Sequence, residues 1–257
     1  MRKYVCVLAT NNYLDGCLVL NENLKHINSE YGLLCLINEE ITQETRDTLD
    51  YFNIEYKEIK KINYDVDFEG YIQPYFKNTF DKLSVFSLTE YEKIVYLDLD
   101  LLILENIDDL FAYNGLAMAM DHPFTNLHNS GVMIIEPNMD DYYNLIKLMV
   151  EKMKNQEQLG DQDIINEYFK RINTIPQSYN LMRRISDELI TENSYIWEEK
   201  ETIYPVKNYD EDDINKKILH YIVTPKPFQI NHPYGEIYSN IYAYYLSLIK
   251  EKKANKK

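Results

Sequence analysis

The chain reads as an α/β protein with a mostly parallel central sheet flanked by helices. Short apolar runs with the character of buried strands alternate with segments of helical spacing, and parallel strands need such crossovers. With 257 residues, 45% of them apolar, the chain is long enough to bury a large core. The sparse glycine (7) and proline (8) exclude collagen-like and low-complexity classes. No Gly/Ser-rich linker, composition shift or internal repeat marks a boundary, so residues 1–257 are expected to form one domain that closes with a helix and basic tail from about residue 236.

The first strand is expected over Tyr4 to Leu8. A polar turn at Thr10-Asn11-Asn12 follows, then a helix from about Tyr13 to Lys25 whose spacing buries Leu14, Cys17, Leu18 and Leu24. Next come a strand at Leu33 to Ile37, a polar helix near Thr42 to Tyr51, a short strand around Ile54 to Tyr56 and a helix from about Phe80 to Thr89. That helix leads into the apolar run Ile94-Val95-Tyr96-Leu97. Beyond it, a short helix is expected over Asn106 to Tyr113, strands at Leu116 to Met120 and Gly131 to Ile135, and helices over Asn138 to Lys154 and Asp161 to Lys170. From Ile172 to Asp213 the pattern weakens.

A net charge of −15 opposes binding to nucleic acids and anionic membranes. The basic run from Lys250 to Lys257 is read as a solvated tail. Cys6, Cys17 and Cys35 are odd in number, lie in apolar contexts and lack metal-ligand spacing, so they are expected to be buried reduced thiols. With no signal peptide evident and no apolar run long enough to span a bilayer, the expected location is intracellular, in the cytoplasm.

The most informative stretch is Ile94 to Asp100, an apolar strand ending on two carboxylates two residues apart. Alternation along a strand aims Asp98 and Asp100 the same way. Side by side they repel, and burying an unpaired charge is costly, so a hard divalent cation with a phosphate-bearing substrate is the economical explanation. In such sheets ligands gather beyond the carboxyl ends of the strands, where the Thr10-Asn11 turn also falls.

Other segments carry a more specific signal: Leu8 to Tyr13; Lys82-Leu83 with Ser87 to Tyr91; Tyr96 to Asp100 with Asn106 to Phe111; Asn129-Ser130-Gly131-Val132; Gly160-Asp161-Gln162-Asp163; and His220 with Lys226-Pro227. In this order they resemble the glycogenin-like glycosyltransferases, family 8 of the retaining, metal-dependent enzymes of the GT-A fold, a Rossmann-like nucleotide-sugar transferase fold. The resemblance spans residues 8 to 227. It implies that Asp98, Asp100 and His220 bind Mn²⁺, with Mg²⁺ as a substitute, and that the metal holds the diphosphate of a UDP-sugar. Carboxylates plus one imidazole suit manganese. The resemblance also implies that Lys226 contacts the diphosphate, that Thr10, Asn11 and Tyr13 hold the uridine, and that Lys82 and Leu99 help bind the donor. Asn129, Ser130, Asp161 and Gln162 would surround the transferred sugar, with Asp121 as a further sugar-contacting carboxylate. Asp161 would act as nucleophile or as stabiliser of an oxocarbenium-like centre. The expected donor sugar is glucose and the acceptor a hydroxyl. Relatives also suggest a homodimer.

Three positions depart from the family pattern: Gln158 stands for an aspartate, Val223 for a glycine and Gln73 for an arginine. They leave the metal and leaving-group residues in place, while Gln158 and Val223 leave open a catalytically silent sugar-nucleotide-binding protein. A haloacid-dehalogenase-like phosphatase is disfavoured, because Leu102 stands where its small hydroxyl residue belongs. In isolation Asp161, after Gly160 at a helix start, would be an N-cap, and His220 a satisfied core histidine. Tyr195 lies where the family carries a self-glucosylated tyrosine, and self-glucosylation there is a further expectation.

Overall fold

The protein is described from a computed structural model covering residues 1–62, 79–121, 125–155, 157, 159–183, 194–196, 203–205, 216–222, 226–229 and 237–255. Gln73, Gln158 and Val223 lie outside the described residues, as do Lys256 and Lys257 at the end of the basic run.

The central sheet contains β1 (Arg2–Leu8), β2 (Leu33–Ile37), β3 (Glu55–Glu58), β4 (Lys93–Leu97), β6 (Ala117–Met120), β7 (His128–Ile135) and β8 (Asn173–Thr174), in the order β3-β2-β1-β4-β7-β6-β8. All neighbours are parallel except β7, which runs antiparallel to both β4 and β6. The connection from Met120 to His128 is too short for a crossover, so β7 must return antiparallel. Helices α1 (Leu14–His26), α2 (Gln43–Tyr51), α3 (Met139–Lys154) and α4 (Asp161–Tyr168) fall at the expected places, and α5 (Ile237–Ala254) closes the described chain.

The inner strands β2, β1, β4, β7 and β6 are buried on both faces, as strands between helices should be, while the outer β3 and β8 are largely exposed. Along β1, Tyr4, Cys6 and Leu8 join one core while Val5 and Val7 join the other; along β4, Val95 and Leu97 part from Ile94 and Tyr96 in the same way. The first core is completed by α1 and α5, the second by the 80–87 segment with α3 and α4. That segment is a 3-10 helix over Phe80–Ser87, as is Asp108–Ala112. Phe80 to Phe86 are buried without a break.

Of the residues expected to be buried on α1, Cys17, Leu18 and Leu24 are, whereas Leu14 is half-buried. Lys250 to Lys253 belong to α5; Lys252 Nζ lies 2.5 Å from Glu22 Oε2 and Lys253 Nζ lies 2.7 Å from Asp15 Oδ1, tying α5 to α1. No described helix is long and apolar enough to cross a membrane.

A second, three-stranded sheet positions the site. It has the order β5-β12-β9, from β5 (Leu101–Ile103), β9 (Leu181–Arg183) and β12 (Ile218–Tyr221). Since β5 directly follows the Asp98–Asp100 turn, pairing β12 against it sets His220 opposite Leu101. A two-stranded ribbon, β10 (Ser194–Ile196) with β11 (Ile203–Pro205), sets the backbone of Tyr195 opposite Tyr204. The Tyr195 side chain is outside the described atoms.

Candidate active site

The informative feature of this core is its buried polar set. Lys82, Asp100, Asp121, Asn129, Ser130, Asp161, His220 and Lys226, each expected from the sequence to belong to the site, are all buried, and Asn180 is buried beside them. Asp98 is more open, with 23% of its side chain exposed.

Strand β4 ends at Leu97, and Asp98, Leu99 and Asp100 form the turn into β5. The turn is pinned on both sides: Asp98 N donates to Gly131 O at 2.9 Å, and Tyr221 N donates to Asp100 O at 3.0 Å. Leu99 points its side chain into the core and its carbonyl at Gly16 of α1, where a Cβ would lie 2.3 Å from Leu99 O. Only a residue without a side chain lets α1 approach this closely.

His220 Nε2 lies 3.3 Å from Asp100 Oδ1 and 3.8 Å from Asp98 Oδ2. One ligand atom from each of the three residues lies within 4.8 Å of the others. The histidine tautomer follows from the backbone. Gly131 N donates to Asn129 Oδ1 at 2.9 Å, so Asn180, which also approaches that oxygen at 2.8 Å, must present its Nδ2. Asn180 Oδ1 then faces His220 Nδ1 at 2.9 Å, and Nδ1 carries the proton. In the neutral imidazole the Nε2 lone pair is then aimed at Asp100 Oδ1, a buried oxygen with no hydrogen-bond partner. Two lone pairs facing each other repel unless a cation stands between them. The donor set thus fits a divalent metal held by Asp98, Asp100 and His220, with the Asn180 bond orienting the imidazole.

Asn180 was not recognised from sequence, since it sits in the weakly patterned region just before β9. Its replacement by alanine should leave the fold intact but lower divalent-metal affinity about 10–100-fold, as read by titration of Mn²⁺ with electron paramagnetic resonance of the free ion.

Two lysines flank the carboxylates. Lys226 Nζ lies 2.5 Å from Asp100 Oδ2 and donates to Tyr221 O at 2.8 Å. Burial works against the charge on Asp100, yet the Lys226 ammonium holds its carboxyl well below the usual carboxylate range. Burial pushes Asp98 the other way, above its ordinary value, against the pull of Lys82. Lys82 Nζ bridges Asp98 Oδ1 at 3.1 Å and Asp161 Oδ2 at 2.9 Å, and donates to Ser130 Oγ at 3.2 Å. Although burial opposes its charge, Asp161 and Asp98 raise its pKa above the ordinary lysine value.

Asp161 does not cap α4. Gly160 is the N-cap, its N–H donating to Asp163 Oδ2 at 2.9 Å, and Asp161 turns inward to accept from Ser130 Oγ at 2.8 Å. Despite its burial, Lys82 holds the Asp161 carboxyl below its ordinary value. The network continues outward: Ser130 N donates to Gln162 Oε1 at 3.2 Å, Gln162 Nε2 to Asp121 Oδ2 at 3.1 Å, and Asn129 Nδ2 to Asp121 Oδ1 at 3.0 Å. Asn129 and Asn180 close the circuit back to His220.

The Thr10 turn approaches from α1. Asn11 Oδ1 accepts from Thr42 N at 3.1 Å and Thr45 Oγ1 at 2.8 Å, tying the turn to the start of α2. Thr10 O accepts from Tyr13 N at 3.2 Å, and the Tyr13 ring meets Phe228, two residues past Lys226, edge to face at 5.2 Å.

Fold and site together define a nucleotide-sugar-transferase-like α/β protein of the GT-A type. The structure aligns with that of the galactosyltransferase LgtC, solved with donor and acceptor sugar analogs, at a TM-score of 0.67 over 96% of both chains and 15% identity. Residues 4–231 match Glycosyl transferase family 8, and the chain belongs to that family. Glycogenin-1 of Caenorhabditis elegans is 31% identical over 177 residues, which is 68% of this chain and 41% of that protein. Galactinol synthase 6 of Arabidopsis thaliana is 27% identical over 218 residues, covering 70% of this chain and 64% of that protein.

Proposed function

We propose that the chain is a retaining, Mn²⁺-dependent glycosyltransferase that moves a hexose, glucose in the first instance, from a UDP-sugar to a hydroxyl. The observation that carries this reading is the meeting of Asp98, Asp100 and His220 around one cation-sized gap, with Lys226 on one side and the Lys82–Asp161–Ser130 cluster on the other.

Each residue then has a task set by its chemistry. Asp98, Asp100 and His220 hold the dication, whose charge, when it is bound, stabilises the diphosphate leaving group. Lys226 adds a second positive contact to the diphosphate. Asp161, kept ionised by Lys82, faces the anomeric carbon as nucleophile or as a fixed negative charge that favours an oxocarbenium-like centre. Ser130, Gln162, Asn129 and Asp121 form a rigid hydrogen-bonded wall for the sugar hydroxyls. Leu99 shapes the turn beneath the donor. Thr10, Asn11 and Tyr13 form the uridine end, where Tyr13 and Phe228 supply an apolar edge for the base.

The deciding assay is UDP release from UDP-glucose, with and without Mn²⁺, beside a phosphomonoester control. Metal-dependent UDP release is expected. Binding of UDP-glucose without release would support a silent binding protein instead, and phosphate release from the control would support a phosphatase.

The acceptor follows a separate test. Glycogenin and galactinol synthase relatives carry names that imply different acceptors, and Tyr195 is the candidate within this chain. Incubation with UDP-glucose and Mn²⁺ should add hexose increments to the intact mass, and Tyr195→Phe should abolish them. An unchanged wild-type mass, with UDP release intact, assigns the sugar to water or a separate acceptor.

A further inference from the structure

Tyr96 lies on β4, two residues before Asp98, so the two side chains leave the chain on the same face. The residue is buried in the second core, between Val5 of β1 and Met133 of β7, which are its register partners. A buried phenol needs a hydrogen-bond partner, and this one donates to Asp98 Oδ1 at 2.5 Å. The Lys82 ammonium stands over the same ring, 5.1 Å from its centroid and within cation–π range. It also straddles the carboxylate, 3.1 Å from Asp98 Oδ1 and 3.3 Å from Oδ2. A tyrosine that reads in sequence as part of an apolar run therefore grips both the first aspartate and the lysine beside it.

We propose that Tyr96 is a positioning residue that limits Asp98 to one metal-facing oxygen, and so makes the site favour a small octahedral dication such as Mn²⁺ over Ca²⁺. The inference rests on the metal site of the proposed function. The two Asp98 oxygens are not equivalent: Oδ1 accepts from the Tyr96 hydroxyl, whereas Oδ2 is the one that faces His220 Nε2, at 3.8 Å. A phenol with an ordinary pKa of about 10 is protonated at neutral pH and can only donate to a carboxylate. Turning both oxygens toward an ion would break that bond and leave a buried hydroxyl unpaired, which is costly. The hydroxyl cannot follow the carboxylate, because the Tyr96 backbone is paired on both sides, to β1 and to β7.

Ion preference follows from the number of oxygens each ion needs. Ca²⁺ collects about 6–8 oxygen ligands at roughly 2.3–2.6 Å and reaches that number by taking carboxylates through both oxygens, whereas a smaller octahedral ion is satisfied with six ligands. A carboxylate held to one oxygen withholds from Ca²⁺ a ligand that Mn²⁺ does not require. The imidazole of His220 disfavours Ca²⁺ as well, since that ion takes oxygen ligands. The two contributions separate on substitution, because removing the Tyr96 hydroxyl frees Asp98 Oδ1 and leaves His220 in place.

The test is competition of Ca²⁺ with Mn²⁺ on the full chain, read from electron paramagnetic resonance of free Mn²⁺, in the wild type and in Tyr96→Phe. Phenylalanine keeps the ring and its contact with Lys82 and removes only the hydroxyl. The ratio of Ca²⁺ affinity to Mn²⁺ affinity is expected to rise about 10-fold in Tyr96→Phe, at the lower end of the effect of groups that orient a metal ligand. A tyrosine that served packing alone would weaken both ions alike, so an unchanged or lower ratio overturns the proposal. That result, with Mn²⁺ bound and UDP release intact, removes the role of Tyr96 and leaves the proposed function standing; a wild type that binds no Mn²⁺, alone or with UDP, overturns both. Should Tyr96→Phe fail to fold, a crystal structure of the wild type with Mn²⁺ and UDP decides. One Asp98 oxygen on the ion, with Tyr96 on the other, is expected, and both oxygens on the ion would overturn the proposal.

Discussion

Asp161→Asn should lower UDP release from UDP-glucose by about 10²–10³-fold, the range seen when one electrostatic stabiliser of a transition state is removed. Asparagine keeps the size and can still accept from Ser130, so the change removes charge rather than shape. Lys82 retains Asp98 as a partner at 3.1 Å, so the buried ammonium is not orphaned. Weakening one charge-assisted contact costs roughly 1–3 kcal/mol of stability, or about 2–4 °C of melting temperature per kcal/mol in a chain of this size. Donor binding, measured with UDP and Mn²⁺, should change little, because the lost charge faces the sugar. A variant that melts normally and turns over normally would remove Asp161 from the reaction.

Gly131→Ala should uncouple the fold from the metal site. A Cβ at residue 131 would lie 2.4 Å from His220 Cε1 and 2.7 Å from its Nδ1, far inside contact distance. The His220 backbone is held between β5 and β9 and cannot retreat, so the ring must rotate and break its bond to Asn180. The overpacking costs about 1–3 kcal/mol of stability. Loss of a correctly aimed ligand should weaken Mn²⁺ binding by about 10–100-fold and lower UDP release at fixed Mn²⁺ in proportion, with excess Mn²⁺ restoring part of it. Circular dichroism should be unchanged. If Mn²⁺ affinity stays at the wild-type value, His220 is not a ligand.

The parts legible in sequence were those with a local signature. The apolar strand ending in Asp98 and Asp100, the helix starts at Asn138 and Gly160, and the ordered family segments all carry their meaning within a few residues, and the buried polar set follows them closely. What escaped depends on distant pairing. Three-residue strands such as β5 and β9 have too few positions to show a period, so the small sheet that delivers His220 to Asp100 was invisible, and with it Asn180. The antiparallel β7 is dictated by a short connection rather than by its residues. At the chain end, Lys252 and Lys253 stay partly solvated, but their pairing with Glu22 and Asp15 shows only once α5 is laid against α1. The cysteines read correctly as buried thiols, but the convergence of their sulfurs to within 4.8 Å of one another is a property of the β1-α1-β2 crossover.

On the proposed function, Asp98, Asp100 and His220 share one dication that also binds a nucleotide diphosphate. Pulsed electron paramagnetic resonance of Mn²⁺ bound to the protein with UDP tests it directly. Coupling to one imidazole nitrogen, lost in His220→Ala, is expected together with phosphorus couplings from the diphosphate on the same ion. Bound Mn²⁺ that shows phosphorus but no histidine nitrogen, or nitrogen without phosphorus, would contradict it.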